Sequence, residues 1–304
     1  GNLIMFGSNF YGQLGINDDT KKENYQPIII NSYFDLDSDE IITNFELAGY
    51  NSLATTSKGR VFSWGYSYSA MLGHTTTSNV TKPLDITQKF SLDSNDYVKD
   101  IATVDLKVII HTAQGRVFVF GDSTINKCLG ADFTGRINEP LESTDSIPLE
   151  SNDEIDDISV SYTHSLILTK NGSVLGSGRN SNGELLVKMD EVASSDFFID
   201  VTPTEDLLAG EKVVEVFAGI NNTMLLTSLN RVLFIGSNDD QTNPILTGYY
   251  DSSDKLFDIL PIYFTILRNE NIKPIETRVN SLLNIFNNNE DIINSINQIK
   301  NEAI

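Results

Sequence analysis

One string limits what this chain can fold into. Gly-Arg-Val-Phe-x-x-Gly occurs at Gly59 to Gly65 and again at Gly115 to Gly121, with looser copies starting at Gly1, Gly172 and Asn230. The glycines that close the five copies, Gly7, Gly65, Gly121, Gly178 and Gly236, lie 58, 56, 57 and 58 residues apart. So regular a period marks a repeat architecture. Two β-rich apolar runs precede a copy, as in Val213 to Ala218 with Thr223 to Thr227, or Ile155 to Val160 with Ser165 to Thr169. A Gly/Asn/Ser turn follows, carrying Leu-Gly at Leu14-Gly15, Leu72-Gly73 and Leu129-Gly130. Two apolar runs, a Gly-centred turn, a third run and a weaker fourth predict a four-stranded antiparallel sheet. One such sheet cannot bury both of its faces, so the copies must pack face to face around an axis.

Ala48-Gly49, the Gly59 to Gly65 string with Trp64, and Gly12 to Gly15 together resemble the repeat of the regulator of chromosome condensation family of β-propellers. The resemblance covers roughly residues 1 to 240 and implies an all-β propeller of four-stranded antiparallel blades. Members of that family usually have seven blades, whereas this chain shows five copies of the third strand. The first copy lacks its first two strands, and Lys255 to Arg268, with Phe257, Ile259 and Ile262 to Leu267, offers such a pair. The expectation is a five-bladed ring in which that pair joins Leu3 to Phe6, with part of a seven-bladed ring as the alternative. The propeller is expected over 1–270. Over 271–304, Val279, Leu282, Leu283 and Phe286, then Ile292, Ile293, Ile296 and Ile299, take helical spacing around Asn287 to Asn289, which predicts a short helical tail.

Charge removes whole classes of function. With 42 acidic and 21 basic residues among 304, the net charge is −21, which argues against a nucleic-acid or anionic-membrane surface. One cysteine, Cys128, can make no internal disulfide, so an intracellular, reducing compartment is expected, with the cytoplasm as the default. His74, His111 and His164 fit no zinc spacing with it. The longest nearly uncharged apolar run, Ile259 to Leu267, is far short of the roughly 20 residues of a membrane-spanning helix. The sequence opens at Gly1 rather than Met and reads as a trimmed piece, so its lack of a signal peptide carries little weight.

No catalytic constellation stands out, and no cofactor or metal is expected. His164 holds the place of the family's repeat His, whose role as the resemblance implies it is to link strands within a blade; Asn51, Lys107 and Asn222 hold the aligned places. Gly172, Gly176 and Gly178 fall on a predicted strand with no Lys-Ser/Thr after them, unlike a phosphate loop. Trp64 is expected to be buried packing. Acidic clusters recur before each first strand, Asp35 to Glu40, Asp93 with Asp96, Glu150 to Asp157, Glu205 with Asp206 and Glu211, and Asp251 with Asp254, diluted by Lys58, Arg60, Arg116, Lys170 and Arg231 on the same side of the ring.

The opposite side is read from its turns, in which Tyr and Asn recur. Phe10, Tyr11, Tyr50, Tyr66, Tyr68, Tyr162, Arg179 and Asn221 are the candidate partner-binding residues, because Tyr gives contact area at small entropic cost and Asn gives adaptable hydrogen bonds. A non-enzymatic protein-interaction platform or regulatory subunit is therefore expected. The alternative is guanine-nucleotide exchange on a small GTPase, the activity of the family's namesake. As the resemblance implies it, that activity uses an acidic residue directly before the repeat His, where this chain has Tyr50, Leu106, Thr163 and Asn221. A propeller enzyme with a central pocket is a third class, for which no acid, base and metal set converges.

Overall fold

A computed structural model describes residues 2–236 apart from 19, 69, 105, 123–127, 131–134 and 189. The described residues form five antiparallel sheets, in the order that the repeat predicts. Blade one has two strands, β1 (Ile4–Ser8) and β2 (Glu23–Ile29). Blade two has β3 (Ile42–Ala48), β4 (Asn51–Thr56), β5 (Val61–Gly65) and β6 (Val80–Asp85). Blade three has β7 (Val98–Val104), β8 (Lys107–Thr112), β9 (Val117–Asp122) and β10 (Arg136–Glu142), and blade four has β11 (Ile155–Val160), β12 (His164–Thr169), β13 (Val174–Arg179) and β14 (Ser194–Asp200). Blade five shows β15 (Val213–Ala218), β16 (Asn222–Thr227) and β17 (Val232–Gly236). The 255–268 pair and the 271–304 tail lie outside the described residues.

Strand chemistry explains the order within a blade. First strands of neighbouring blades pack on one another, so they are innermost. Second strands β4, β8 and β12 are buried along their whole length, which suits runs such as Leu166-Ile167-Leu168. Fourth strands lie at the outer edge of the described sheets, and β2, β6 and β10 carry Pro27, Pro83 and Pro140, a residue that edge strands tolerate and central strands do not. The Leu-Gly signatures fall in the long third-to-fourth connections, before the fourth strands rather than inside them. His74 accordingly lies in a connection.

Apolar side chains fill the seams between blades. Phe34 follows β2 and meets Phe62 and Trp64 of blade two at ring separations of 5.0 and 5.5 Å. Phe90 meets Phe118 of blade three in the same way at 5.3 Å. Trp64 is fully buried, as expected, and its Nε1–H donates to the Gln13 carbonyl (2.9 Å).

Candidate functional site

Antiparallel strands send alternate connections to opposite sides, so each blade contributes to two rims. On the first lie the interblade connections and the second-to-third turns, and there the acidic residues have taken up the basic ones. Glu40 has a fully buried carboxylate that accepts from the Thr56 hydroxyl, the Asp37 N–H (3.1 Å) and Arg60 (3.0 Å). Blade five repeats this with Glu211, Thr227 and Arg231, whose Nη1 lies 2.6 Å from the carboxylate. In blade three Asp96 accepts from Thr112 (2.9 Å) and lies 3.8 Å from Arg116. Burial pushes Glu40 and Glu211 up, but the threonine, backbone and arginine hydrogen bonds outweigh it and hold both below the ordinary carboxylate range. Blade four has Ser173 in the arginine's place, and Asp153 accepts from the Glu154 and Asn171 N–H groups instead.

The second rim carries the candidate residues. Gly65, at φ +114°, lets the Tyr66 N–H reach the Tyr50 carbonyl (3.1 Å); a Cβ there would stand 2.2 Å from that oxygen. Asn51 Nδ2 donates to the Tyr66 carbonyl (2.8 Å), so the Tyr66 backbone is fixed from both sides. Gln13 sets the neighbouring connection: its Oε1 accepts from the Tyr11 N–H, and its carbonyl accepts from Ser52 Oγ and Trp64 Nε1. The outcome is a cluster in which Tyr11 lies between Tyr50 (4.7 Å) and Tyr66 (4.5 Å), and Tyr66 reaches Tyr68 (6.1 Å). Arg136, which the sequence reading passed over, lies with its guanidinium 4.1 Å from the Tyr68 ring centre and donates to Asp122. Tyr50 is 50% and Tyr68 64% exposed, and Phe10, next to Tyr11 in the chain, is 53% exposed.

The remaining candidates lie on later blades. Arg179 Nη2 donates to Asn221 Oδ1 (2.5 Å) and its Nε to the buried Glu184 (3.1 Å), which joins blades four and five. The Tyr162 carbonyl accepts from Lys107 Nζ (2.9 Å), whose ammonium lies 4.9 Å from the Tyr162 ring centre. The asparagines of this rim are less adaptable than composition suggests. Asn9 and Asn180 are fully buried, each donating Nδ2 to two carbonyls and accepting a backbone N–H at Oδ1.

His164 is a linker between blades as well as within one. Thr223 Oγ1 donates to the Glu184 carbonyl (2.6 Å) and lies 2.8 Å from His164 Nε2 in hydrogen-bond contact across the blades, while His164 Nδ1 lies 2.9 Å from Ser161 Oγ within its own blade. Burial pushes His164 down to about 4 and His111, whose two ring nitrogens have no hydrogen-bond partner among the described residues, down to about 3. Burial also pushes the Cys128 thiol up, away from the thiolate that nucleophilic chemistry needs.

Residues 155–184, which run from β11 to Glu184 and include His164, match the family described as Regulator of chromosome condensation (RCC1) repeat. That segment is similar to an RCC1 repeat. Its sequence is 25% identical over 245 residues to mouse E3 ubiquitin-protein ligase HERC2, a match that covers 79% of this chain and 5% of that protein. Serine/threonine-protein kinase Nek9 of Xenopus laevis is 24% identical over 245 residues, covering 78% of this chain and 25% of the relative. The chain thus spans a quarter or less of these curated relatives. Among solved structures, Prp20p of Saccharomyces cerevisiae, a protein that binds Gsp1p and histones, superposes with a TM-score of 0.65 at 19% identity, over 83% of this chain and 60% of that one. At that identity the likeness establishes the β-propeller fold. No helix among the described residues is long and apolar enough to cross a membrane.

Proposed function

We propose that this RCC1-like propeller is a non-enzymatic docking platform that binds a folded protein through its tyrosine rim. The observation that carries the reading is the joined set Tyr11, Tyr50, Tyr66 and Tyr68, in mutual contact on a backbone that hydrogen bonds fix at Tyr11, Tyr50 and Tyr66, while Tyr50 and Tyr68 stay open to solvent. Rings already fixed lose little freedom on binding, which is what makes aromatic clusters effective anchors. Arg179 with Asn221, Tyr162 and Phe10 extend the same rim. A reducing intracellular setting, the cytoplasm in the simplest case, belongs to the reading and is supported by the lone buried Cys128.

Nucleotide exchange on a small GTPase is the second reading, favoured by the shared fold with Prp20p and opposed by Tyr50, Leu106, Thr163 and Asn221 in the places where the resemblance leads one to expect an acid. Affinity capture with the intact chain and with Tyr66→Ala/Tyr68→Ala, followed by a nucleotide-release assay on any GTPase recovered, tests both. Loss of a specific partner in the variant supports the docking rim. Retention of every partner by the variant refutes it, and accelerated nucleotide release moves the assignment to exchange.

A further inference from the structure

In three blades the charged rim holds a guanidinium in a frame with recurring members. In blade three, Arg116 Nη1 donates to the Ser91 carbonyl (3.2 Å) and lies 3.8 Å from the Asp96 carboxylate, while Nε and Nη2 donate to Glu142 on the fourth strand (2.9 and 2.7 Å). Blade two repeats this with Arg60, which donates to the Asp35 carbonyl (2.7 Å), to Glu40 (3.0 Å) and to Asp85 on the fourth strand (2.8 Å). In blade five, Arg231 donates to the Asp206 carbonyl (3.2 Å) and to Glu211 (2.6 Å). The spacing is constant too. In each case the carbonyl lies 25 residues before the arginine and five before the first carboxylate, as 40 − 35, 96 − 91 and 211 − 206 show.

Blade four keeps the frame without the guanidinium. Ser173 stands at the arginine's position, Pro148 at that of the carbonyl and Asp153 at that of the first carboxylate, with the same separations, 173 − 148 and 153 − 148. Asp153 Oδ1 accepts the Glu154 and Asn171 N–H groups (2.9 and 3.1 Å), just as Asp96 Oδ1 accepts those of Tyr97 and Gln114 (3.0 and 3.1 Å). The other oxygen of Asp96 faces Arg116, whereas the other oxygen of Asp153 has no hydrogen-bond partner among the described residues. Asp96 is buried under its arginine, and Asp153 is partly exposed. Asp200 completes the frame. It pairs with Leu175, two residues after Ser173, as Asp85 pairs with Phe62 and Glu142 with Phe118, each two residues after its arginine. Asp200 Oδ1 accepts from the Thr202 N–H (2.9 Å) and hydroxyl (2.7 Å), as Asp85 Oδ1 accepts from the Thr87 N–H (2.9 Å) and hydroxyl, and it is Asp85 Oδ2 that takes Arg60. Asp200 Oδ2 has no partner among the described residues, and Lys170, the basic residue of this turn, is paired with Glu154.

We propose that blade four is a receptor for an arginine of a partner protein, whose guanidinium enters the frame of Asp153, Asp200 and the Pro148 carbonyl and completes the fourth clamp from outside. The molecule itself identifies the ligand's chemistry, because the equivalent groups of three sister blades already hold a guanidinium. Two carboxylates and a carbonyl around one place need donors in several directions, which a planar guanidinium fork supplies and the compact ammonium of lysine matches less well. The net charge of −21 draws a basic segment toward such a rim. The site lies on the opposite rim from the tyrosines, so it goes beyond the docking reading and stands whatever those rings bind.

Titrating the full chain with N-acetyl-arginine amide, read by backbone amide NMR, tests it. The N–H groups of Glu154, Asn171 and Thr202, which bond the two carboxylates, should shift together and saturate with a Kd on the order of 1–10 mM. N-acetyl-lysine amide should bind at least about five-fold more weakly. Ser173→Arg supplies the guanidinium from the chain's own turn and should abolish the titration. Asp200→Asn, at an exposed edge-strand position, should weaken the arginine probe by about five-fold or more and bring the two probes level. Equal binding of both probes by the unaltered chain would make this a general acidic surface and overturn the proposal. So would arginine binding undiminished in Ser173→Arg or in Asp200→Asn, or no saturable shift of the three amides up to about 50 mM probe. If Ser173→Arg does not fold, Asp200→Asn and Asp153→Asn decide the matter by the same criterion.

Discussion

The two rims are built from the same repeat and end up with opposite characters. On the charged rim the side chains that catch the eye in the sequence are spent on the fold: Glu40 with Arg60 and Glu211 with Arg231 are buried carboxylates clamped by their own blade. On the tyrosine rim the main chain is held by bonds such as Tyr66 N–H to the Tyr50 carbonyl and by amide side chains such as Asn51 and Gln13, and the rings are left over for contact. A cluster of charge can be internal architecture, while an aromatic cluster held by its backbone remains a surface.

The sharpest way to break the comparison is to alter the backbone meeting beneath the second rim. Gly121, at φ +116°, would carry a Cβ 2.1 Å from the Leu106 carbonyl oxygen, and the next nearest atoms, Leu106 C and Lys107 Cα, are backbone too. Gly121→Val should cost more than about 3 kcal/mol in urea unfolding, against about 1 kcal/mol for an ordinary substitution. A cost within the ordinary range would mean that the closing glycines do not set this rim.

Next comes the clamp. Arg60→Ala strands a buried carboxylate at Glu40 and should destabilise by about 3 kcal/mol at neutral pH. Lys58→Ala, at the exposed pair with Asp37 and Asp39, should cost less than about 0.5 kcal/mol. Equal losses in the two variants would erase the distinction between buried and solvated charge on this rim.

Acid separates the regions by window. The folded values of His111 and His164 are depressed, so the unfolded chain binds more protons below pH 6.5, and stability falls as pH drops from there toward about 4, on the order of 2 kcal/mol for each by pH 5. Glu40 and Glu211 are also depressed, and their contribution is present above the ordinary value of 4.5 and is lost below it as pH falls through the folded values. His164→Asn should flatten the upper part of the stability profile and Glu40→Gln the lower part, as measured by denaturant midpoints at a series of pH values. A variant that flattens the other window would show that the groups are misassigned.

Smaller effects concern binding. Tyr66→Ala with Tyr68→Ala should weaken a recovered partner by about 2 kcal/mol through faster dissociation. Reversing Asp153, Glu154, Asp156 and Asp157 to Lys, on the blade without an arginine clamp, should chiefly change the salt dependence of association. The reverse pattern, with neutral tyrosines and an indispensable acidic loop, would transfer the docking role to the charged rim.

Much of this was legible in the sequence. The glycine string located β1, β5, β9, β13 and β17, and the turn composition brought Tyr11, Tyr50, Tyr66 and Tyr68 to one rim. The clamp was written there too, as an acid 16 residues before a threonine at Glu40/Thr56, Asp96/Thr112 and Glu211/Thr227, but a spacing that spans two strands shows no periodicity until their pairing is known. Arg136 over Tyr68 and His164 to Thr223 join different blades, so no pattern local to one repeat encodes them.

The closing glycines also bear on how such a chain can change. At Gly65 and Gly121 the forbidden volume is filled by backbone carbonyl, an atom that every residue type brings with it. No compensating side-chain replacement elsewhere can therefore make room. Positions where side chain meets side chain can be exchanged in pairs, Phe for Leu or His for Lys, and the copies can drift apart until they share little else. What survives such drift is the spot where main chain abuts main chain, a metric of the architecture that outlasts the resemblance among the copies.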